Sequence, residues 1–340
     1  MPISKQEADL AFAHMNQAKR VVCACHRNPD GDAIGALLGV GLLLEKTLED
    51  VPVVLHCLDP VPETFRFLPN VLKVQEECNF IEGDTVMFLD AAEPKLTGLD
   101  ISYPQLFGGS FSTINIDHHP TNTKYATVNL VDSDAASSCE IVVTLADFLG
   151  WEMNSDIATC LLTGVYTDTG GLLHSNTTAG VYRTVARLLR AGARQQEIVK
   201  AVFRTASLST LRLWGRVLEN ITLTDEGGAI SAVTEGDFKA SGAKNSQLTG
   251  AIDYVNAVPG MRFSLILSER QGMVKGSLRT LRDDVDVAAM AGKFSGGGHK
   301  KAAGFSLPGS LKPEVRWKVV EPADDDSEES VVEEPLGSEK

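Results

Sequence analysis

The chain has 340 residues, 43% of them hydrophobic and 22% charged, a globular composition long enough for two ordinary domains. Its formal charge of −14 is uneven: residues 321–340 hold nine acids and one base, a net −8, which leaves −6 for the other 320. A mildly acidic body excludes a long-duplex binder driven by phosphate neutralisation, though not a protein that holds small phosphorylated ligands through a few local groups.

Along the first half, strand and helix patterns alternate. Strands are predicted at Val21–Cys25, Val51–Cys57, Thr85–Leu89, Thr113–Ile116 and Ala126–Val131, and helices at 4–18, 33–48, 138–150 and 155–167. This α/β alternation implies a parallel sheet with helices on both faces. Ser175-Asn176-Thr177-Thr178 caps a helix through about Ala191, and another runs near 194–204. From about Trp214 the pattern becomes α+β. Val217–Leu223 and Ala229–Val233 read as a hairpin, followed by a helix at 246–257 and strands at Arg262–Ser268 and Met273–Leu278. The domains are accordingly expected at 1–193, a helical linker at 194–214, a smaller second domain at 215–311, and an acidic tail at 312–340 that reads as disordered.

The longest apolar run, Ala33 to Leu44, is too short to span a bilayer, and Lys5, Glu7 and Asp9 break any secretory leader. The six cysteines form no C-x-x-C pair and read as reduced, buried thiols. A cytoplasmic protein is expected.

Chemistry gathers at strand ends. His26, Asp30 and Asp32 leave the first strand within seven residues, in the turn sequence Asn28-Pro29-Asp30-Gly31. The bland reading is a turn with Asp32 as the cap of the next helix. Asp90 ends another apolar strand, Asp117-His118-His119 a third, and Asp168 stands where a helical run breaks at Gly170-Gly171. Parallel strands would bring these ends to one crevice. The four acids Asp30, Asp32, Asp90 and Asp168 would repel without counter-charge, and two divalent cations would cancel them. Gly31 would let the loop aim Asp30 and Asp32 at different metals.

These segments resemble the motifs of the DHH phosphoesterases, a family named for the triplet Asp117-His118-His119. The resemblance runs through His26-Arg27-Asn28-Pro29-Asp30-Gly31-Asp32-Ala33-Ile34-Gly35, Asp90 and Thr167-Asp168-Thr169-Gly170. It extends to Gly296-Gly297-Gly298-His299-Lys300-Lys301-Ala302-Ala303-Gly304, which is similar to the signature of the family's associated C-terminal domain. It covers roughly residues 10–310 and is nearest to the bacterial nanoRNase/pAp phosphatase group. The resemblance implies one manganese ion on His26, Asp30 and Asp90 and a second on Asp32, Asp90, His118 and Asp168, with Asp90 bridging. Magnesium or cobalt would be the substitutes.

It further implies that Asp117 orients a ligand or the loop and that His119 faces the substrate phosphate. Water activated by the two metals would attack phosphorus. Arg279, Gly296, Gly297, Gly298 and His299, with Lys300 beside them, would contact substrate, although the glycines alone read equally as a surface turn. A lone His174 reads as packing or surface rather than a base pocket.

The implied activity is hydrolysis of very short RNA or DNA to nucleoside 5′-monophosphates and of pAp to AMP, by a protein of a kind that commonly dimerises. The alternatives are a cyclic or linear dinucleotide phosphodiesterase (c-di-AMP, pApA, pGpG) and, more remotely, a weakly catalytic nucleotide sensor with the tail as a docking element.

Overall fold

The computed structural model describes residues 3–204 and 206–312. The predicted acidic tail therefore lies outside the described residues, apart from Lys312. The first domain begins with helix α1 (Lys5–Asn16), strand β1 (Arg20–Cys25) and helix α2 (Gly31–Thr47). It continues through β2 (Val53–His56), β3 (Val74–Gln75), β4 (Asp84–Leu89), the short α3 (Pro94–Thr97) and α4 (Leu99–Ser102), β5 (Ser112–Asp117) and β6 (Val128–Val131). Helices α5 (Ser138–Leu149), α6 (Ser155–Asp168) and α7 (Ala179–Arg190) follow. The six strands form one sheet in the order β3-β2-β1-β4-β5-β6, all parallel.

That order sets the position of the site. From β1 the chain winds outward through β2 and β3, then returns to place β4 on the other side of β1. The crevice beyond the carboxyl ends of β1 and β4 is thus the topological switch point, where open α/β sheets bind ligands. Period-two side chains cover both faces. Val21, Cys23, Cys25, Met87 and Leu89 join the main core with α2, α5 and α6. Ala24, Val86 and Phe88 face a second cluster with Leu99 of α4 and Leu106.

Helix α2 is buried along most of its length because glycine lets α6 approach it closely. A Cβ on Gly35 would lie 2.6 Å from the Cys160 carbonyl oxygen, and one on Gly39 would lie 2.5 Å from Leu161. This packing holds the last residue of α6, Asp168, over the switch point.

The predicted helix near 194–204 consists of α8 (Gln195–Ile198) and a π-helical turn, Val199–Phe203. Ile198 joins the first core. The predicted strand at Val217–Leu223 is divided instead: Val217–Glu219 finish a helix, and only Thr222–Leu223 are strand. Here α9 (Leu208–Glu219) is capped by Ser207, and Leu213 and Val217, four apart, bury one face in the second core. The hairpin survives in the shorter pair β7 (Thr222–Leu223) and β8 (Gly228–Val233).

The expected helix at 246–257 is broken. After α10 (Glu235–Ser241) come a 3-10 turn at Asn245–Leu248 and α11 (Ala251–Val255), split by Gly250 at φ +91°, whose missing side chain admits Trp214. The remaining elements are β9 (Phe263–Arg270), β10 (Met273–Arg279), α12 (Val287–Gly292), β11 (Gly297–His299) and β12 (Ala302–Pro308). The second sheet runs β11-β12-β10-β9-β8-β7 and is antiparallel except for β8 against β9. Among the described residues no helix is long and apolar enough to cross a membrane.

Candidate metal centre

Strand β1 ends at Cys25 and delivers His26. The chain then turns through Asn28 at φ 50°, a left-handed conformation that asparagine tolerates. Asp59 steadies the turn, accepting from the Asn28 N–H at 2.9 Å and pairing with the Arg27 guanidinium at 3.3 Å. The cap of α2 is Asp30, not Asp32: its Oδ1 accepts from the N–H groups of Asp32 (3.0 Å) and Ala33 (3.1 Å).

Asp32 lies buried inside the first turn, held by another helix. Its Oδ2 accepts from Ser138 N at 2.6 Å and its Oδ1 from Cys139 N at 3.0 Å, so the start of α5 grips the carboxylate. Gly31 has no left-handed backbone to adopt. It is glycine because a Cβ there would meet Thr167 Cγ2 at 2.3 Å, and a Cβ on Gly164 would meet Asp32 Oδ1 at 2.5 Å.

Asp90 follows β4 at φ 56°, an uncommon value for a side-chain-bearing residue, while its N–H extends the ladder to Ile116 O at 2.9 Å. Its two carboxylate oxygens face different partners. Oδ2 lies 3.4 Å from His26 Nε2, whereas Oδ1 lies 3.7 Å from His118 Nε2 and 3.6 Å from His119 Nδ1. His118 Nε2 is also 3.3 Å from Asp168 Oδ2, and His26 Nε2 is 3.8 Å from Asp30 Oδ1.

Ligand atoms of His26, Asp30 and Asp90 lie within 4.8 Å of one another, as do those of Asp32, His118 and Asp168, and those of Asp90, His118 and His119. The first group holds the three residues expected around one cation, and the second holds three of the four expected around the other, without Asp90. Asp117 joins none of the three. It accepts from His119 Nδ1 at 2.8 Å and from Asn122 Nδ2 at 2.6 Å, and Asn122 also donates to Asn115 Oδ1 at 2.7 Å.

The electrostatics are those of acids and imidazoles crowded into one buried crevice. Burial, with Asp90 adding repulsion, pushes Asp32 up to about 7. Burial and Asp32 raise Asp168 well above the carboxylate range. Burial disfavours charge on the imidazoles, yet the surrounding carboxylates override it. Asp30 and Asp90 push His26 up to about 11, and Asp168 and Asp90 push His118 up to about 10. The carboxylates thus favour positive charge in the crevice. Carboxylate oxygens with imidazole nitrogens form a donor set that suits manganese and accepts magnesium or cobalt.

The second domain closes over this centre. The His299 ring lies 5.3 Å from that of His119 and 6.1 Å from that of His118. Burial and these two imidazoles pull His299 below its ordinary value. Arg279, half-buried at the end of β10, donates to Leu278 O at 2.9 Å.

Gly297 and Gly298 belong to the exposed edge strand β11, and Gly296 precedes it. Gly296 and Gly298 make room for β12, with a Cβ meeting Gly304 O at 2.3 Å and Ala302 O at 2.5 Å respectively. Gly297 faces open space. Lys300 is exposed. His174 accompanies the centre, its Nδ1 3.1 Å from Asp168 O and its Nε2 3.9 Å from Asp253 of α11.

The sequence reading missed Ser138, whose Oγ donates to Asp90 at 3.0 Å, and Asn122. The sequence marks only the helix start beside Ser138, through the cap Ser137, whose hydroxyl accepts from Glu140 N.

The sequence matches the DHH family N-terminal domain over residues 20–165 and the DHHA1 domain over 227–323. It is 34% identical to the bifunctional oligoribonuclease and PAP phosphatase NrnA of Thermus thermophilus, over 88% of each chain. The chain belongs to the DHH family. It is a hydrolase of phosphoric ester bonds. A protein of the same name from Bacillus subtilis is 25% identical over 83% of this chain and 87% of its own. An exopolyphosphatase-related protein from Bacteroides fragilis has the same fold, with TM-score 0.83 at 26% identity, covering 91% of this DHH chain and 93% of its own.

Proposed function

We propose that this chain is a manganese-dependent phosphoesterase that degrades very short oligonucleotides to nucleoside 5′-monophosphates and dephosphorylates pAp to AMP. The observation that carries the reading is Asp90, buried at the switch point with Oδ2 toward His26 and Oδ1 toward His118. One carboxylate can thereby serve two cations. His26, Asp30 and Asp90 would hold one, and Asp32, His118 and Asp168, with Asp90 shared, the other. Divalent cations there supply Lewis acidity toward phosphoryl oxygens and lower the pKa of water.

Positioning falls to the chain. Asp117 fixes His119 through Nδ1, which leaves Nε2 as the nitrogen for the substrate phosphate or the departing oxygen. Arg279, His299 and the backbone of Gly296, Gly297 and Gly298 are assigned to a second, non-scissile phosphate. The spacing between the two phosphates then acts as a ruler for short substrates. The names of the Thermus and Bacillus relatives support the substrate class.

The test is a panel of pAp, 2- to 10-mer RNA, and linear and cyclic dinucleotides with added manganese. The expected result is fastest turnover of pAp and the shortest RNA, abolished in Asp117→Ala and His118→Ala. Preference for dinucleotides would move the chain to a dinucleotide phosphodiesterase, and binding without turnover would make it a sensor.

A further inference from the structure

The loop after Asp168 is strained and leads to an exposed aromatic ring. Leu172 has φ 74°, a conformation that a branched side chain rarely accepts. The loop is nevertheless tied down: Leu173 and His174 N–H groups donate to Thr169 O, and Asn176 Nδ2 donates to Asp168 O at 3.2 Å. The strained fold leaves Leu173 84% exposed. Two residues before it, Gly171 is covered by the Phe203 ring, which reaches within 3.5–3.9 Å of where a Gly171 Cβ would stand, and Phe203 is 44% exposed. Phe203 ends the π-helical turn Val199–Phe203, a local form that tends to mark functional positions.

Charge identifies the occupant. Of the eight Lys or Arg in residues 183–216, Arg187, Arg194 and Arg216 pair with Asp147, Asp156, Glu197 and Glu219, and Arg183, Arg190, Lys200, Arg204 and Arg212 have no ion pair among the described residues. Lys200 and Arg204 flank Phe203, are exposed, and have no ion pair among the described residues. An apolar peptide would fit the Leu173–Phe203 surface but gain nothing from the cations. A flat ring carrying a phosphate uses both.

We infer that Phe203 and Leu173 form a base-stacking subsite beside the metal centre, with Lys200 and Arg204 receiving the phosphate of the nucleotide next to the reacting one. This deepens the proposed function and rests on that reading. A single-nucleotide substrate such as pAp fills the metal centre without reaching the platform, whereas a trinucleotide engages it.

The experiment compares kcat/KM for a 5′-phosphorylated trinucleotide with that for pAp in the wild type, Phe203→Ala, Phe203→Trp and Lys200→Gln/Arg204→Gln. In Phe203→Ala the trinucleotide-to-pAp ratio should fall by about tenfold or more, the loss of one base–aromatic stack, and Phe203→Trp should restore it. The double charge variant should flatten the salt dependence of the trinucleotide alone. An unchanged ratio in Phe203→Ala, or equal loss on both substrates, overturns the subsite.

Wild-type turnover of neither substrate would defeat the proposed function instead. Stopped-flow quenching of a 2-aminopurine trinucleotide then still decides the subsite. Quenching lost in Phe203→Ala and kept in Phe203→Trp supports it, and quenching indifferent to Phe203 overturns it.

Discussion

On the first-domain side of the cleft, each buried acid at the strand ends has a second hold. Asp32 is gripped by two N–H groups of α5, Asp90 by the Ser138 hydroxyl, and Asp117 by Asn122. On the second-domain side, Gly297 faces open space and the Arg279 guanidinium donates to the carbonyl of its own neighbour, Leu278. The difference separates two tasks. Under the proposed function, groups that neutralise and aim charge are fixed before substrate arrives, while groups proposed to receive a phosphate keep hydrogen-bonding capacity for it.

The comparison breaks most severely at Asp90. Asp90→Ala should lower activity by on the order of 1,000-fold, beyond the roughly 10- to 100-fold that an outer contact commands, with the fold retained by circular dichroism. Next comes Ser138→Ala, which leaves the Asp32 contacts intact but frees Asp90 Oδ1. Metal affinity should fall roughly 10- to 100-fold, read by calorimetric titration.

Gly164→Ala would push a methyl against Asp32 Oδ1 and the Cys139 sulfur, which lies 2.3 Å from the new carbon. It should cost about 1–3 kcal/mol of stability by denaturant unfolding, with weakened metal binding. Gly297→Ala meets nothing within 4 Å, so stability should hold within about 0.5 kcal/mol while KM rises. Destabilisation with unchanged KM would remove the contrast between the two sides.

Acidity sharpens the same contrast. In the metal-free protein His26 and His118 sit far above the ordinary 6.5, at about 11 and about 10. Their stabilisation is complete below about pH 6.5 and lost as pH rises through those values. Asp32, raised from 3.8 to about 7, likewise favours the folded state at low pH and stops doing so as pH passes 7. Stability without metal should therefore fall as pH rises. Manganese must displace these protons, so its shift in Tm should be larger near pH 8 than near pH 6. Equal shifts would contradict proton-for-metal exchange.

The convergence of His26, Asp30, Asp32, Asp90, His118 and Asp168 was legible because hard oxygens and imidazoles at the ends of apolar strands come together if the strands are parallel. The fold's first half was legible for the same reason, since buried parallel strands read as unbroken apolar runs. Ser138 was not legible. Its role is a hydrogen bond to a carboxylate 48 positions earlier in the chain, and nothing local distinguishes it from any serine near a helix start.

Gly31 was misread for a related reason. Its requirement comes from Thr167, a neighbour in space and not in sequence. In the second domain, Val217–Leu223 offered strand-like residues, but the burial of Leu213 and Val217 against the sheet carried the helix on through Glu219 and left only Thr222–Leu223 as strand. Strand β11 is three residues, two of them glycine, and exists through its pairing with β12.

The central claim is that Asp90 ties two cation sites together while Asp32 serves one of them. Manganese titration of the wild type, Asp32→Ala and Asp90→Ala, followed by calorimetry and electron paramagnetic resonance, tests it most directly. The account predicts two ions in the wild type, loss of one in Asp32→Ala, and weakening of both in Asp90→Ala. Equal and full occupancy in the two variants would contradict it.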